Sequence, residues 1–198
     1  TTAKFVTTLG VMTNNRFHFG VGVSPWYEDF LATGERWEKR GKRMDEQIDI
    51  LKGLMNGEYF SYKGEFYDIP ELKLCPAPSK PVPILIGGHS KLALKRAARV
   101  GDGRISAGLS LEETKNLIDQ INSFRSEFGT LDHPNYQFQV MGEAAYSPEG
   151  IKKLEDLGAT EVIVAFRNTY EGGPDERTLD GMIAEINWYA EEVINKSK

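Results

Sequence analysis

Apolar residues along this chain follow two patterns in turn. Short apolar runs, which predict strands, are followed by longer segments in which apolar residues recur every three or four positions, as in helices that bury one face. The predicted strands cover residues 17–23, 82–86, 104–107, 136–145 and 161–166. Because strands that alternate with helices build parallel sheets covered by helices, the pattern predicts an α/β fold with about five βα units.

The segment between the first two predicted strands contains two further elements. A long amphipathic helix is predicted over residues 35–56, and a β-hairpin over residues 58–69. The apolar stripe of the predicted helix consists of Trp37, Met44, Ile48, Leu51 and Met55. Residues 70–81 contain four prolines, which predicts an irregular connection to the next strand.

Helix start signals follow the later strands. Ser110 with Glu113 forms a capping pattern, and Ser147-Pro148 predicts another helix with a cap and an N1 proline. The final helix is predicted to begin at Thr178. Its apolar residues are expected to face inward: Leu179, Met182, Ile183, Ile186 and Val193.

The sequence VPILIGGHSKLALKRAARVGDG at residues 82–103 carries the strongest candidate chemistry. Its apolar run ends in Gly87-Gly88, and Ser90 is positioned to cap the following helix. The first-turn amides of such a helix form an anion site, which indicates a cofactor that bears phosphate. The alternative is an ordinary strand-to-helix turn whose glycines serve geometry alone. His89 is either a ligand of the phosphate or substrate, or an exposed turn residue.

Several stretches in this order resemble the bacterial luciferase-like family of flavin- and deazaflavin-dependent oxidoreductases. RFHFGVGVSPW at residues 16–26 resembles the family's fourth barrel strand, and residues 34–55 resemble the helix after it. Lys63-Gly64-Glu65-Phe66-Tyr67, Pro76-Ala77-Pro78 and the Gly-Gly strand also match. The resemblance covers nearly the whole chain and is greatest for the subgroup that uses coenzyme F420.

The resemblance implies a (β/α)8 TIM-barrel fold. A complete barrel usually needs about 250 residues, and the chain has 198 residues beginning at Thr1. Residues 1–198 are therefore expected to form one domain, the C-terminal part of a barrel with strands four to eight, its N-terminal part missing.

The resemblance also implies a cofactor site at the carboxyl ends of the strands. Backbone amides of residues 87–90 and the side chain of Ser90 are expected to contact the cofactor phosphate. Gly22, Val23 and Ser24 are expected near the edge of the isoalloxazine or deazaflavin ring.

Two arginines at strand positions belong to the same expected site. Arg167, at the strand end formed by residues 166–168, is expected to pair with a cofactor phosphate or γ-glutamyl carboxylate. The alternative for Arg167 is a salt bridge to Asp175 or Glu176. Arg104 stands where the family usually has Trp after Gly-Asp-Gly, so this wall of the pocket departs from the family pattern.

No nucleophile–histidine or paired-carboxylate constellation is apparent at the strand ends, and the three dispersed histidines predict no metal site. This fits an enzyme whose cofactor, F420 or alternatively FMN, supplies the hydride chemistry. The expected activity is hydride transfer to or from the cofactor, or monooxygenation, with a small organic substrate. The alternative is a shortened, non-catalytic flavin-binding protein resembling the nonfluorescent flavoproteins. The substrate and the catalytic acid or base are not identifiable from the sequence.

The composition of the chain limits the kinds of partner and the compartment that can be expected. Lys and Arg number 24 against 29 Asp and Glu, for a net charge of −5 with no basic stripe, which argues against nucleic acid. One cysteine, Cys75, and the lack of a signal-peptide or membrane-spanning pattern predict a cytoplasmic protein. The strands at 17–23 and 161–166 would leave open sheet edges, which predicts a homodimer or higher oligomer.

Overall fold

The computed structural model describes residues 1–167 and 173–197. The chain divides into two compact units, Thr1–Gly103 and Arg104–Lys198. Helices and strands alternate in both units, and the five strands predicted for the parallel sheet are all found among the described residues. They are shorter than predicted, because ladder pairing covers only part of each predicted run.

The first unit contains four helices and four strands. Its helices are α1 (Thr2–Met12), α2 (Tyr27–Thr33), α3 (Arg40–Met55) and α4 (Lys91–Val100). Its strands are β1 (Phe19–Val21), β2 (Phe60–Lys63), β3 (Asp68–Leu72) and β4 (Ile84–Ile86). Strands β1 and β4 pair in parallel, with Gly20 opposite Leu85. Strands β2 and β3 form the predicted hairpin, and β3 extends into the segment that was predicted to be irregular.

The core of the first unit lies between the β1–β4 pair and the helices. Helix α3 contributes its predicted apolar stripe, α4 contributes Ala97, and β4 contributes Ile84 and Ile86, both fully buried. The stripe residues of α3 in this core are Met44, Ile48, Leu51 and Met55.

Helix α3 begins at Arg40, five residues after the predicted start. Gly34 and Lys39 both adopt left-handed backbone conformations, which end α2 and delay α3. Trp37 therefore lies outside the helix and packs edge-on against Phe30, with ring centroids 5.1 Å apart. The short helix α2 was not predicted, because its seven residues are too few to show a helical period.

The second unit begins at Arg104, within strand β5 (Gly103–Ile105). Its other strands are β6 (Gln137–Met141) and β7 (Glu161–Ile163), and its helices are α5 (Leu111–Phe128), α6 (Pro148–Asp156) and α7 (Leu179–Tyr189). Strands β6 and β7 pair in parallel, with Val140 opposite Val162. A π-helical turn, Ala190–Ile194, continues α7.

Four helices begin at a hydroxyl side chain that accepts a hydrogen bond from a first-turn amide. These N-caps are Ser90 for α4, Ser110 for α5, Ser147 for α6 and Thr178 for α7. At α5 the full capping box forms, because the Glu113 carboxylate also accepts from the Ser110 amide at 2.8 Å. The predicted helix starts are confirmed, since capping depends on residues within one turn.

Two strand predictions in the second unit are wrong at their ends. The strand predicted over 136–145 stops at Met141, and residues Glu143–Tyr146 form a 3₁₀ turn. The strand predicted over 161–166 stops at Ile163. Beyond Ile163, the Ala165 amide donates to the Tyr146 hydroxyl at 3.1 Å. It therefore does not continue the strand ladder.

The inward orientation predicted for α7 is also wrong for three of its residues. Leu179, Ile183 and Ile186 are 72%, 46% and 56% exposed, whereas Val193 is buried as predicted. The helix is attached at its C-terminal end, where the Tyr189 hydroxyl donates to the Ala145 carbonyl at 2.8 Å. The apolar period identified the positions of one helix face, but the described structure leaves these three side chains of that face exposed, whereas Met182 is half-buried.

None of the helices among the described residues combines the length and the hydropathy that a bilayer crossing requires.

Candidate functional site

The carboxyl ends of β1 and β4 lie side by side in the first unit. The Gly87 amide donates to the Val21 carbonyl at 2.6 Å, immediately after both strands end. A Cβ built on Gly22 would lie 3.8 Å from the Gly87 backbone. The structure therefore brings together residues 22–24 and 87–90, at the strand edge where barrel enzymes bind their ligands.

The Gly-Gly loop has the geometry of an open backbone cradle. Gly88 adopts φ +102°, and a Cβ at this position would lie 3.1 Å from the Ala93 side chain. Gly88, His89 and Ser90 are exposed. The loop thus presents its backbone to solvent in a conformation that few residues other than glycine adopt.

Ser90 has a structural role in this loop. Its hydroxyl oxygen accepts from the Ala93 amide at 3.2 Å and caps α4. The hydroxyl hydrogen can still donate to an anion. The amides of Lys91 and Leu92 come before the Leu94 amide, the first that donates to a carbonyl within the helix, and they are therefore also available as donors. The predicted phosphate site and the observed cap are therefore compatible.

Ser24 is held in place by its own loop. Its hydroxyl donates to the Asp29 carboxylate at 2.5 Å and accepts from the Trp26 amide at 3.1 Å. With Gly22 and Val23, it forms part of the wall of a cavity of about 810 Å³. The predicted ring-edge residues thus line a space large enough for a small organic molecule.

The cavity runs along one face of α3. Its apolar wall includes Val21 and Val23 after β1, Ile48 and Leu51 on α3, and Ile69 in the hairpin. Its polar end is formed by Arg40, Arg43, Gln47 and Tyr67. Sequence reasoning missed these four residues. The helical spacing of Arg40, Arg43 and Gln47 could have indicated a shared face.

Asp45 fixes α3 against α4. Its carboxylate accepts two hydrogen bonds from the Arg96 guanidinium, at 2.7 and 3.2 Å, and Arg96 also donates to the Gly41 carbonyl at 2.9 Å. Arg96 is only 9% exposed, so this bidentate pair is shielded from water. Because α4 begins at Ser90, the pair also positions the Gly-Gly loop.

Glu46, the next residue, fixes the hairpin. Its carboxylate accepts from the amides of Glu65, Phe66 and Tyr67 at 2.6, 3.0 and 3.1 Å. A Cβ on Gly64 would overlap this carboxylate, so the close approach requires glycine. The Gln47 amide donates to the Tyr67 hydroxyl at 2.6 Å, which completes the attachment of this cavity wall to α3.

Arg104 is a buried cation of the second unit. It is 1% exposed, and burial lowers the pKa of its guanidinium to about 10, partly offset by the nearby Tyr136 hydroxyl. Its Nη1 donates to the Ile105 carbonyl. Where the family usually has an indole, this strand therefore carries a desolvated charge.

Arg167 makes the salt bridge that was the alternative to a cofactor contact. Its guanidinium lies 3.5 Å from the Asp175 carboxylate and donates to the Gly173 carbonyl at 2.9 Å. Arg177 binds the same carboxylate and holds the pKa of Asp175 well below its usual range. The role of Arg167 toward a cofactor stays a prediction. Asn168, at the same predicted strand end, lies outside the described residues.

Across residues 1–167 and 173–197, no three His, Cys, Asp or Glu side chains are grouped so that they could hold a metal ion.

Proteins similar in sequence to this chain include enzymes that depend on FMNH2 and enzymes that depend on F420. An uncharacterized protein of Mycobacterium tuberculosis is 44% identical over 194 residues, which cover 98% of this chain and 66% of that protein. The FMNH2-dependent dimethylsulfone monooxygenase of Pseudomonas fluorescens is 34% identical over 125 residues, which cover 61% of this chain and 34% of that protein. The F420-dependent glucose-6-phosphate dehydrogenase of Amycolatopsis mediterranei is 28% identical over 114 residues, which cover 56% of this chain and 34% of that protein. The chain spans about two thirds of the length of the relatives at 44% identity.

Solved structures show the same fold. The F420-dependent tetrahydromethanopterin reductase of Methanopyrus kandleri superposes with a TM-score of 0.74 at 15% identity, over 100% of this chain and 79% of that one. An F420-dependent secondary alcohol dehydrogenase gives a TM-score of 0.63 at 17% identity, over 97% and 66% of the two chains. The predicted α/β fold class is confirmed. The sequence pattern of the luciferase-like monooxygenases matches residues 1–149, three quarters of the chain. The protein therefore belongs to the luciferase-like monooxygenase family.

Proposed function

We propose that the protein binds a deazaflavin or flavin at the joined ends of β1 and β4 and serves as an oxidoreductase for a small organic substrate. The observation that carries the proposal is the contact between the two glycine-containing strand ends, with Gly88 at φ +102° beside the N-terminus of α4. Relatives that use F420 and relatives that use FMNH2 support the cofactor class. F420 is the first candidate and FMN the second.

The chain's residues fit such a cofactor in two parts. The α4 amides after Ser90, together with the open backbone at Gly88, would hold the phosphate through N–H donors. Gly22 and Gly87 carry no side chain, so a flat ring could approach the strand ends closely. When bound, the cofactor supplies the hydride chemistry. The residues of the chain orient the ring and exclude water beside the apolar cavity wall.

Separate titrations with F420 and with FMN, oxidised and reduced, test this proposal. Saturable binding of F420 that is tighter than that of FMN is expected, measured by absorbance and fluorescence changes of each cofactor. Binding of neither cofactor would contradict the proposal.

The alternative, a non-catalytic flavin-binding protein, gives a different result in the same experiment. It predicts FMN binding without any change of the bound cofactor's oxidation state on addition of a substrate. An oxidoreductase predicts a substrate-dependent change, followed at the absorbance maximum of the cofactor. Small alcohols would reduce oxidised F420, small aldehydes would oxidise reduced F420, and sulfur compounds would be oxygenated by reduced FMN together with O2.

A further inference from the structure

The cavity of the first unit has an apolar body and a cationic end. Arg40, Met44, Ile48 and Leu51 follow one another along the α3 face that lines it. At a rise of about 1.5 Å per residue, the lining of α3 from Arg40 to Leu54 spans about 21 Å. The cavity is thus elongated, with its charge near the N-terminus of α3.

Arg40 has no counter-ion within the part of the chain that the structure describes. Its side chain makes no hydrogen bond or ion pair with any described residue, and its buried Nε has no partner there. The guanidinium instead lies over the Trp37 ring, with its Cζ 3.5 Å from the ring centroid. Phe30 and Tyr27 in turn contact Trp37 edge-on. The aromatic group therefore fixes the orientation of this cation without neutralising it.

The carboxylates at the same end of the cavity are engaged elsewhere. Asp29 accepts the hydrogen bond from Ser24 at 2.5 Å. Glu35 lies 3.8 Å from the Arg43 guanidinium, and Arg43 also donates to the Arg36 carbonyl. The charge of Arg43 is thus matched by Glu35, and that of Arg40 is left uncompensated among the described residues.

Two further donors are available at this end. The Tyr67 hydroxyl accepts from Gln47, so its own hydrogen remains free to donate into the cavity. Helix α3 begins without a side-chain cap, so its first amides also have no local acceptor. A half-buried arginine with a buried Nε, a phenol and a helix N-terminus together favour an anionic oxygen ligand.

We propose that Arg40 binds the carboxylate or phosphate of a molecule whose apolar part lies along α3. A guanidinium held over the Trp37 ring can give such an anion two parallel hydrogen bonds, which are strongest where water is excluded. The inference rests on the proposed function in one respect: the anionic group would belong to the oxidoreductase's substrate or to the tail of its cofactor.

Paired probes of equal length test the subsite in the absence of cofactor. Octanoate and octanamide differ in charge but share the apolar chain, and calorimetric titration measures both. The parent is expected to bind octanoate roughly tenfold more tightly, the effect of one charge-assisted hydrogen bond. Arg40→Gln is expected to bind the two probes about equally, and Arg40→Lys to retain part of the preference.

Lys42→Gln is the matched control. It removes a cation two residues along the same helix, at an exposed position that does not line the cavity. It is expected to keep the preference of the parent for octanoate. Thermal melting of each variant shows whether it is folded. An equal affinity of the parent for both probes would overturn the proposal. So would a folded Arg40→Gln that still prefers octanoate, or an equal loss of preference in Lys42→Gln.

Repeating the titration with saturating F420 or FMN distinguishes the two sources of the anion. Competition with octanoate supports the cofactor tail as the ligand of Arg40, and undiminished octanoate binding supports the substrate. Failure of both cofactors to bind would contradict the proposed function, while the octanoate preference, measured without cofactor, would still stand.

Discussion

At the scale of single residues, the candidate site depends on backbone conformation more than on side chains. Gly88 adopts φ +102°, and the adjacent strand end at Gly22 faces the Gly87 backbone. The side chains of this loop have local roles, since Ser90 caps α4 and His89 is exposed. A cofactor would therefore be recognised largely by main-chain N–H donors. A side-chain substitution in this loop would affect these donors only by changing the backbone conformation.

Replacing Gly88 by Val is expected to abolish cofactor binding and to leave the fold largely intact. A β-branched residue disfavours positive φ, and its side chain would both approach Ala93 and block the phosphate. Cofactor titration measures the loss, and circular dichroism shows whether the secondary structure is kept.

Gly158→Val is the matched control for backbone strain. Gly158 also has a positive φ, +97°, but a Cβ there would meet no atom within 4 Å. A comparable loss of stability with cofactor binding retained is expected for this variant. If Gly88→Val bound the cofactor as the parent does, the loop would be a structural turn only.

At the scale of secondary-structure elements, α3 organises the first unit. Consecutive residues on this helix attach it to two other elements: Asp45 to α4 through Arg96, and Glu46 to the hairpin through three amides. The Gly-Gly loop and the hairpin wall of the cavity are thus positioned by the same helix. A shift of α3 would change both sides of the candidate site together.

Glu46→Gln is expected to loosen the hairpin. A carboxamide has one acceptor oxygen in place of two and would direct N–H donors toward the amides that Glu46 now binds. Unfolding free energy is expected to fall by about 1 to 2 kcal/mol, measured by urea denaturation. Hydrogen exchange should become faster at the amides of Glu65, Phe66 and Tyr67.

Asp49→Asn is the control on the same helix. Asp49 is exposed and makes no side-chain hydrogen bond or ion pair with the described residues. Its substitution is expected to change stability by less than about 0.5 kcal/mol. Unchanged exchange at the hairpin amides in Glu46→Gln would show that the hairpin is held by other contacts.

At the scale of the whole molecule, both units leave apolar surface exposed. In the first unit, Phe5 and Met12 of α1 are 65% and 76% exposed, and in the second, Leu179 and Ile186 of α7 are 72% and 56% exposed. Strand β1 pairs only with β4 among the described strands of its unit, so its other edge presents free backbone groups. Such edges and patches favour association.

The protein is expected to self-associate to a homodimer or a higher oligomer. Sedimentation velocity across micromolar concentrations would show a mass above that of the 22.2 kDa chain. Because apolar contacts would drive the association, it should persist in high salt. A folded monomer over the whole concentration range would contradict this expectation.

The sequence by itself determined the features that depend on near neighbours. The capping box of Ser110 and Glu113 forms within one turn, and the positions of the five sheet strands follow from local apolar runs. The meeting of Gly22 with Gly87 could also be expected, because parallel strands end at the same edge of a sheet.

Only the tertiary structure decided which partners lie far away in the chain. Glu46 binds amides about twenty residues later, and Asp45 binds Arg96 across 51 residues, pairings that no local pattern reveals. Among the residues that the structure describes, the lack of a counter-ion for Arg40 and the exposure of Leu179, Ile183 and Ile186 on α7 also depend on where distant segments lie. Periodicity fixes which side of an element is apolar, whereas long-range packing determines what that side contacts.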